Sequence, residues 1–300
     1  MANDRGKAID NTHLSIDQAE ERGFIHRDYI AHCLRWTHVA KHVQKSGRYK
    51  TTRVLDIGCG VDLPLARLLY SSRLIVEEYV GVDYNNPGKF KMDMFHTGKM
   101  PVHAYGNIDA GKHICVNEDG IDIAEIALHK LPNVITCFEV LEHVEPGHCR
   151  QISQVILDIL QAYIDQKPGS DPRAFLSTPC YDAQTGAAAN HVSEITYQAF
   201  GAMLEDLGFE ITGKWGTFAS QKDYKAVLIK EHGPVIWDKL SEFYDSNYLA
   251  TIFAPMYPQL SRNAMWEVRP ARGGYVRQFP PLAEVPGPWT SSAKWEELNG

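Results

Sequence analysis

Two carboxylates and an imidazole stand close together in the middle of the chain, in the stretch Phe138-Glu-Val-Leu-Glu-His143. An imidazole with a pKa of about 6.5 can remove the proton of a hydroxyl group at neutral pH, and a neighbouring carboxylate can orient its ring. These residue types at this spacing predict His143 as a catalytic base and Glu142 as its orienting group. The alternative for His143 is a structural role at the start of a helix, bonded to the backbone.

A second histidine, His191, lies in the polar loop after a later apolar run. With it, the chain offers two carboxylates and two imidazoles, from Glu139, Glu142, His143 and His191. This donor set suits one divalent ion. Such an ion would bind an acceptor hydroxyl and lower its pKa. We therefore predict His191 as a further catalytic residue, and a divalent metal ion stands as an alternative to catalysis by His143 alone.

The element that must position a ligand against these groups is Val54-Leu-Asp-Ile-Gly-Cys-Gly60, an apolar run that ends in a glycine turn before a helical pattern. Glycine has no Cβ, so this turn lets the backbone come close to a ligand at a helix N-terminus. The apolar stretch Val80-Gly-Val-Asp83 follows at the distance of one strand–helix–strand unit. Together these elements predict a site for a nucleoside-bearing small molecule.

Three positions indicate which kind of nucleoside is bound. Leu63 stands where a dinucleotide fingerprint has its third glycine, which argues against a pyrophosphate ligand. Asp56, an acid inside the turn, would repel phosphate and attract an ammonium or sulfonium group. Asp83, at the end of the second predicted strand, can accept hydrogen bonds from both ribose hydroxyls. The pattern therefore favours a nucleoside with a positive charge and no phosphate, as in S-adenosylmethionine.

The three stretches resemble, in order, the first, second and strand-four motifs of the class I S-adenosylmethionine-dependent methyltransferases. The resemblance covers roughly residues 50 to 212 and implies S-adenosylmethionine as the cofactor. It implies that Gly58 and Gly60 contact the methionine part, that Asp56 meets its amino group directly or through water, and that Asp83 binds the ribose. The other cofactor-binding residues that it implies lie beside the adenine or on the floor of the site: Tyr84, Asp119 or Asn117, Phe138 and Glu139.

The residues after the fourth predicted strand narrow the chemistry of the acceptor. Enzymes that methylate amino groups of nucleic acids carry Asp/Asn-Pro-Pro-Tyr/Phe there, and cytosine-C5 enzymes carry Pro-Cys, whereas this chain has neither. Its Glu-x-x-Glu-His pattern with a later histidine resembles the ubiquinone-pathway O-methyltransferases and the small-RNA 3′-end 2′-O-methyltransferases. The RNA enzymes also have Pro-Asn after strand five, where this chain has Pro179-Cys180.

We therefore predict an enzyme that transfers a methyl group from S-adenosylmethionine to a hydroxyl of a small-molecule or nucleotide-like acceptor. One alternative is a metal-assisted RNA 2′-O-methyltransferase. The other is a non-catalytic subunit that binds the cofactor and presents its surface to a partner.

Near-continuous apolar runs alternating with amphipathic patterns predict an α/β fold: a doubly wound, Rossmann-like class I methyltransferase sheet with N-terminal helices. For strand three, residues 113–116 are favoured over residues 102–105. The methyltransferase domain spans residues 50–270, after an N-terminal helical segment (1–49) and before a Pro-rich tail (271–300). We expect an aromatic-rich helical cap, residues 213–264, to be inserted between strands six and seven and to cover the acceptor site.

The composition limits the cellular setting and the partners. The chain has 300 residues and a net charge of −7, so it lacks the overall basic charge of most duplex-binding proteins, although a local groove for RNA stays possible. Six scattered cysteines without a CxxC pair indicate a reduced, cytoplasmic setting. Because no window of 18 apolar residues occurs, no membrane partner is expected. The oligomeric state is left open.

Overall fold

The computed structural model describes residues 27–46, 52–72, 76–85, 100–117, 120–124, 126–181, 186–219, 234–244, 246–272 and 289–290. The helices are α1 (Arg27–Ser46), α2 (Pro64–Ser71), α3 (Ala110–His113), α4 (Pro146–Gln166), α5 (Tyr197–Leu207), α6 (Pro234–Ser241) and α7 (Ser246–Phe253). Short 3₁₀ turns lie at Leu141–His143, Ala254–Met256 and Pro258–Leu260. The strands are β1 (Arg53–Ile57), β2 (Glu78–Val82), β3 (Val102–Tyr105), β4 (Ile114–Asn117), β5 (Gly120–Ile123), β6 (Ile126–Leu128), β7 (Val134–Phe138), β8 (Arg173–Pro179), β9 (Glu194–Ile195), β10 (Phe209–Ala219), β11 (Ser261–Pro270) and β12 (Trp289–Thr290).

Seven of these strands form one sheet in the order β10-β11-β8-β7-β1-β2-β3. Every pair in it is parallel except those of β11, which runs antiparallel to both β8 and β10. The chain builds outward from β1 to β3 and then returns to start the other half at β7, so the strand order reverses between β1 and β7. The predicted doubly wound α/β sheet is confirmed, and this reversal is where such sheets bind ligands.

Helices cover both faces of the sheet. Successive side chains of a strand point to opposite sides, so each strand contributes apolar side chains to both layers. Leu55 and Ile57 of β1 belong to the apolar layer under α4 and α5, together with Ile156 and Phe200. Val54, directly before Leu55, points the other way and belongs to the layer under α1 and α2. The continuous apolar runs in the sequence therefore correspond to strands that are buried on both faces.

The prediction for strand three was wrong. β3, residues 102–105, pairs in parallel with β2, with Tyr79 opposite Val102 and Val82 opposite Tyr105. The favoured segment, residues 113–116, instead falls at the start of a separate antiparallel sheet of β4, β5 and β6. Asn117, which was expected in a polar turn at the end of strand three, pairs with Gly120 where β4 and β5 meet. Gly120 returns the chain so closely to the backbone of Leu128 that a side chain at this position would overlap it.

The segment between β10 and β11 contains the predicted helices. Strand six continues through Ala219 and strand seven begins at Ser261, so the inserted part is shorter than residues 213–264. Helix α7 and the first of the two 3₁₀ turns there pack on β10, and α7 also packs against α1. A small apolar core holds these pieces together and consists of Trp237, Leu249, Ala254 and Tyr257.

Other predicted segments lie partly or wholly outside the described residues. They include residues 1–26 of the N-terminal segment and most of the Pro-rich tail. From that tail the structure describes β12, which pairs antiparallel with β9. Within the described part of the chain, every helix is too short or too polar to cross a membrane.

Asp56 joins the three central strands. It lies in the middle of β1 with 4% of its surface exposed, and both carboxylate oxygens accept hydrogen bonds. The hydroxyl of Tyr79 on β2 donates to one oxygen at 2.5 Å, and the hydroxyl of Thr136 on β7 donates to the other at 2.6 Å. Burial raises the pKa of Asp56 to about 6, although these hydrogen bonds favour the charged form.

We predict a pH-dependent stability that the substitution Asp56→Asn removes. The folded-state pKa lies above the ordinary value of 3.8, so the folded protein holds the proton more tightly than the unfolded chain. Ionising Asp56 therefore lowers the free energy of unfolding as pH rises from about 4 to about 6, and the contribution is constant above that range. At about 1.4 kcal/mol for each pKa unit, the loss is about 3 kcal/mol.

Urea unfolding at several pH values between 4 and 7 measures this effect as the difference in free energy of unfolding between wild type and Asp56→Asn. The matched control is Asp165→Asn, which alters an exposed carboxylate on α4. Parallel pH profiles for wild type and Asp56→Asn would contradict the prediction.

Candidate active site

A cavity of about 690 Å³ opens at the carboxyl ends of β1, β2 and β7, where the strand order reverses. Among the described residues that line it, four carry a carboxylate and one an ammonium group; these are Asp83, Asp109, Glu139, Glu145 and Lys112. The excess of acidic groups favours a ligand with a positive charge over a phosphate.

The glycine turn after β1 forms part of the cavity wall. Gly58 and Gly60 have φ values of 75° and 68°, a region that glycine adopts without the steric cost of a Cβ. The amide of Gly58 donates to the carbonyl of Val82 at 2.8 Å, and the amide of Gly60 donates to Asp83 Oδ2 at 2.9 Å. A Cβ on Gly58 would overlap the side chain of Val140, which follows β7. The turn is therefore held between the ends of β2 and β7.

Asp83 stands directly after β2, on the cavity wall, as predicted. Its Oδ1 accepts from the amide of Asn85 at 2.8 Å, while Oδ2 accepts from Gly60. Each carboxylate oxygen has a second lone pair, so Asp83 can accept further bonds from ligand hydroxyls. Tyr84, with 77% of its surface exposed, also lines the cavity.

Asp109, which the sequence reasoning missed, takes the position after β3. It caps α3 by accepting from the amide of Gly111 at 3.1 Å, and its carboxylate lies 2.5 Å from His148 Nε2. Of the two residues predicted for this place, Asn117 lies in the β4–β5 hairpin and donates to Asp122, and Asp119 is outside the described residues. An acid at the N-cap of a short helix after β3 was the available signal.

Glu139 follows β7 with a φ of 55°, an unusual conformation for a residue with a side chain. Its carboxylate accepts from Ser177 Oγ at 2.8 Å, from Arg35 at 3.2 Å and from the amide of Asn263 at 2.5 Å. Arg35, on α1, is 1% exposed and also donates to Thr217. Glu139 is thus bonded to α1, β8 and β11, and these contacts are not indicated by any short stretch of the sequence.

Three of the four residues of the predicted metal set come together, and Glu139 does not join them. Glu142, His143 and His191 each offer a ligand atom within 4.8 Å of those of the other two. The two imidazole rings lie 5.0 Å apart, nearly edge to face. The loop that carries His191 is bonded to the turn that carries Glu142, because the amides of Val192 and Ser193 donate to the carbonyl of Glu142.

The protonation of this cluster follows from its surroundings. Glu142 is 1% exposed, and burial raises its pKa, to which the nearby charge of Glu139 adds. Burial also lowers the pKa of His143, which keeps its ring neutral at pH 7. The Nδ1 of His143 lies 3.2 Å from the carbonyl oxygen of Asn190, an acceptor, so Nδ1 carries the proton and Nε2 the lone pair.

The remaining predicted residues lie around this centre. Phe138 ends β7 and packs in the layer under α1, with the guanidinium of Arg35 5.9 Å from its ring centroid. Cys180 is buried, and burial raises its pKa, so it is not poised as a thiolate nucleophile. The side-chain oxygens of Asp56 are bonded to Tyr79 and Thr136, as described above.

Several solved structures share the general arrangement at low similarity. The small RNA methyltransferase HEN1 has a TM-score of 0.47 and 14% identity, over 86% of this chain and 27% of that chain. Magnesium protoporphyrin IX methyltransferase from Synechocystis PCC 6803, with bound S-adenosylhomocysteine, has a TM-score of 0.47 and 12% identity, over 85% of this chain and 88% of that chain. The 1,6-didemethyltoxoflavin-N1-methyltransferase of Burkholderia thailandensis has a TM-score of 0.46 and 12% identity, over 79% of this chain and 78% of that chain.

No curated protein matches the chain. A family model described as a methyltransferase domain matches residues 25–213, which is more than half of the chain and includes β1, β2, β7 and the loop with His191. The chain therefore belongs to the methyltransferase-domain family, as its resemblance to class I S-adenosylmethionine-dependent methyltransferases predicted.

Proposed function

We propose that the protein binds S-adenosylmethionine in the cavity at the ends of β1, β2 and β7 and transfers its methyl group to a hydroxyl of a small-molecule or nucleotide-like acceptor. The observation that carries the proposal is an open glycine turn and Asp83 on the wall of a cavity whose charged lining is mostly acidic. A ligand with ribose hydroxyls, a sulfonium and no phosphate suits that lining.

Four positions are assigned to the cofactor. Asp83 accepts hydrogen bonds from the ribose hydroxyls, using the lone pairs that Gly60 and Asn85 leave open. Gly58 and Gly60 allow the methionine part to approach the backbone. Asp109 takes the adenine-facing role first assigned to Asn117 or Asp119, because it lines the cavity beyond β3.

Asp56 acts on the cofactor without contacting it. Both of its oxygens are engaged by Tyr79 and Thr136, so a direct bond to the cofactor amino group would have to displace one of them. We assign to Asp56 the alignment of the glycine turn with the ends of the neighbouring strands. Phe138 and Glu139 keep the assigned place on the floor of the site, with Glu139 fixed by its bond to Arg35.

His143 is the proposed base. When bound, S-adenosylmethionine supplies an electrophilic methyl group on a sulfonium. The Nε2 lone pair of His143 is free of the backbone bond that holds Nδ1, and it can receive the proton of an acceptor hydroxyl. Glu142 Oε1 lies 3.8 Å from that nitrogen, so in its ionised form Glu142 would favour the imidazolium.

A divalent metal ion is the second candidate, and the cluster of Glu142, His143 and His191 supports it. Three protein ligands of mixed oxygen and nitrogen type leave coordination positions for an acceptor. An ion there would lower the pKa of the acceptor hydroxyl. An RNA 2′-hydroxyl is then one of the possible acceptors. A purely non-catalytic subunit would need no such cluster beside its cofactor cavity, so the cluster favours an enzyme.

The helices between β10 and β11 are proposed to select the acceptor. β10 is parallel to β8, so its carboxyl end lies at the ligand edge of the sheet, and α7 packs on β10. Arg35 connects β10 to the site, because it donates hydrogen bonds to Glu139 on the floor of the site and to Thr217 near that end of β10.

We predict that Asp83→Ala weakens binding of S-adenosylhomocysteine, measured by titration calorimetry. Hydrogen bonds to a charged group are worth about 1.5–3 kcal/mol, so losing the ribose contacts raises Kd at least about tenfold. The control, Asp165→Ala, removes an exposed carboxylate from α4 and leaves Kd unchanged. An unchanged Kd in Asp83→Ala would overturn the assignment of the site.

We also predict that Mn²⁺ binds to the protein and that His143→Gln and His191→Gln each weaken this binding, since each removes one of three ligands. The expected loss of affinity is about tenfold or more, and chelation lowers methyl transfer in parallel. The control is His129→Gln, which changes an exposed histidine beyond the cluster. If chelation leaves turnover unchanged and both variants bind Mn²⁺ like wild type, the metal candidate fails and His143 acts as a base alone.

A further inference from the structure

A buried carboxylate with no role assigned so far holds His191. Glu194, on β9, has 0% of its side chain exposed. Its Oε1 lies 2.6 Å from Nδ1 of His191 and accepts from the amide of Ala188 at 2.9 Å. Its Oε2 lies 2.9 Å from a terminal nitrogen of Arg262 on β11. Oε1 also accepts from the same nitrogen of Arg262 at 3.3 Å, whereas Oε2 meets Arg262 as an ion pair without a hydrogen bond.

Arg262 ties this pair to the backbone of the loop after β8. Its two terminal nitrogens donate to the carbonyl of Cys180 at 2.7 Å and to the carbonyl of Gly186 at 2.8 Å. The same loop is bonded on its other side to the turn after β7, through Val192 and Glu142. Glu194 is thus fixed in position relative to the cluster that contains His191.

The chemistry of the contact decides which nitrogen of His191 is available. A carboxylate paired with a guanidinium accepts hydrogen bonds and donates none, so the proton between Glu194 and His191 belongs to Nδ1. In a neutral ring this leaves the lone pair on Nε2. His143 is held in the same way by the carbonyl of Asn190. In each of these two neighbouring imidazoles, the nitrogen left with the lone pair is then Nε2.

We propose that Glu194 is a positioning residue: it holds His191 in the Nδ1–H tautomer and thereby makes Nε2 the nitrogen that serves as base or metal ligand. Carboxylates that hold ligand histidines in this way typically raise metal affinity about 10- to 100-fold. The use of Nε2 rests on the function proposed above. The tautomer does not, because it is a property of the protein without ligands.

The test is the ¹⁵N spectrum of the histidine rings in the ligand-free protein at pH 8.5, well above the ordinary imidazole pKa of about 6.5. Signals of His191 are assigned by their loss in His191→Gln. In wild type we expect a proton on Nδ1 and none on Nε2. In Glu194→Leu combined with Arg262→Met, which removes both buried charges, the proton moves in part or entirely to Nε2.

A second variant covers the case in which the double substitution does not fold. Glu194→Asp keeps the charge beside Arg262 but withdraws the oxygen from His191, and it should release the tautomer as well. The matched control is Glu210→Leu with Arg269→Met, which removes another carboxylate–guanidinium pair, at the start of β10. It should leave the His191 signals unchanged.

Mn²⁺ affinity gives the functional readout, with a loss of about 10- to 100-fold expected in the Glu194 variants. A proton on Nε2 of His191 in wild type, an unchanged tautomer in both variants, or an unchanged Mn²⁺ affinity would each overturn the proposal. Wild-type protein that binds no Mn²⁺ would count against the metal candidate, and the ring spectra would still decide the role of Glu194.

Discussion

The close approach of two turns is the constraint on which the site depends. Gly58 after β1 and Val140 after β7 meet where the sheet order reverses, and a Cβ on Gly58 would overlap the valine side chain. Both turns contain a positive φ, at Gly58 and at Glu139. The close approach of these two turns places the two sides of the cavity opposite each other. One side carries Asp83 and Asp109, and the other carries the turn with Glu142 and His143.

The strained turn after β7 is kept in place by a long-range ion pair. Glu139 bonds Arg35 of α1, and the same carboxylate reaches Ser177 and Asn263 on two further strands. Arg35 is buried and Glu139 is partly buried, so removing Glu139 leaves the guanidinium without its counter-ion inside the protein, which costs up to about 3–5 kcal/mol. This arrangement gives Glu139 a structural task and leaves the cluster beside it with three potential ligands, Glu142, His143 and His191.

The sequence predicted the features that are encoded locally. The glycine turn, the acid after β2 and the apolar run of β7 each appear in a short stretch, and their order fixed the fold and the family. The prediction of strand three failed because β3 and β4 are both four-residue segments with similar side chains. Only the pairing with β2 distinguishes them. Asp109 was missed with it. The partners Arg35–Glu139 and Glu194–Arg262 are 104 and 68 residues apart, so no local pattern could reveal them.

Methyl transfer to oxygen in this cavity can be tested with methyl-labelled S-adenosylmethionine and fractionated cell extract, including its RNA. We expect wild-type protein to transfer label to one class of molecule, with the label recovered as an O-methyl group, and we expect His143→Gln to abolish the transfer while still binding the cofactor. A protein that binds the cofactor and labels nothing, or that labels nitrogen or carbon, would contradict it.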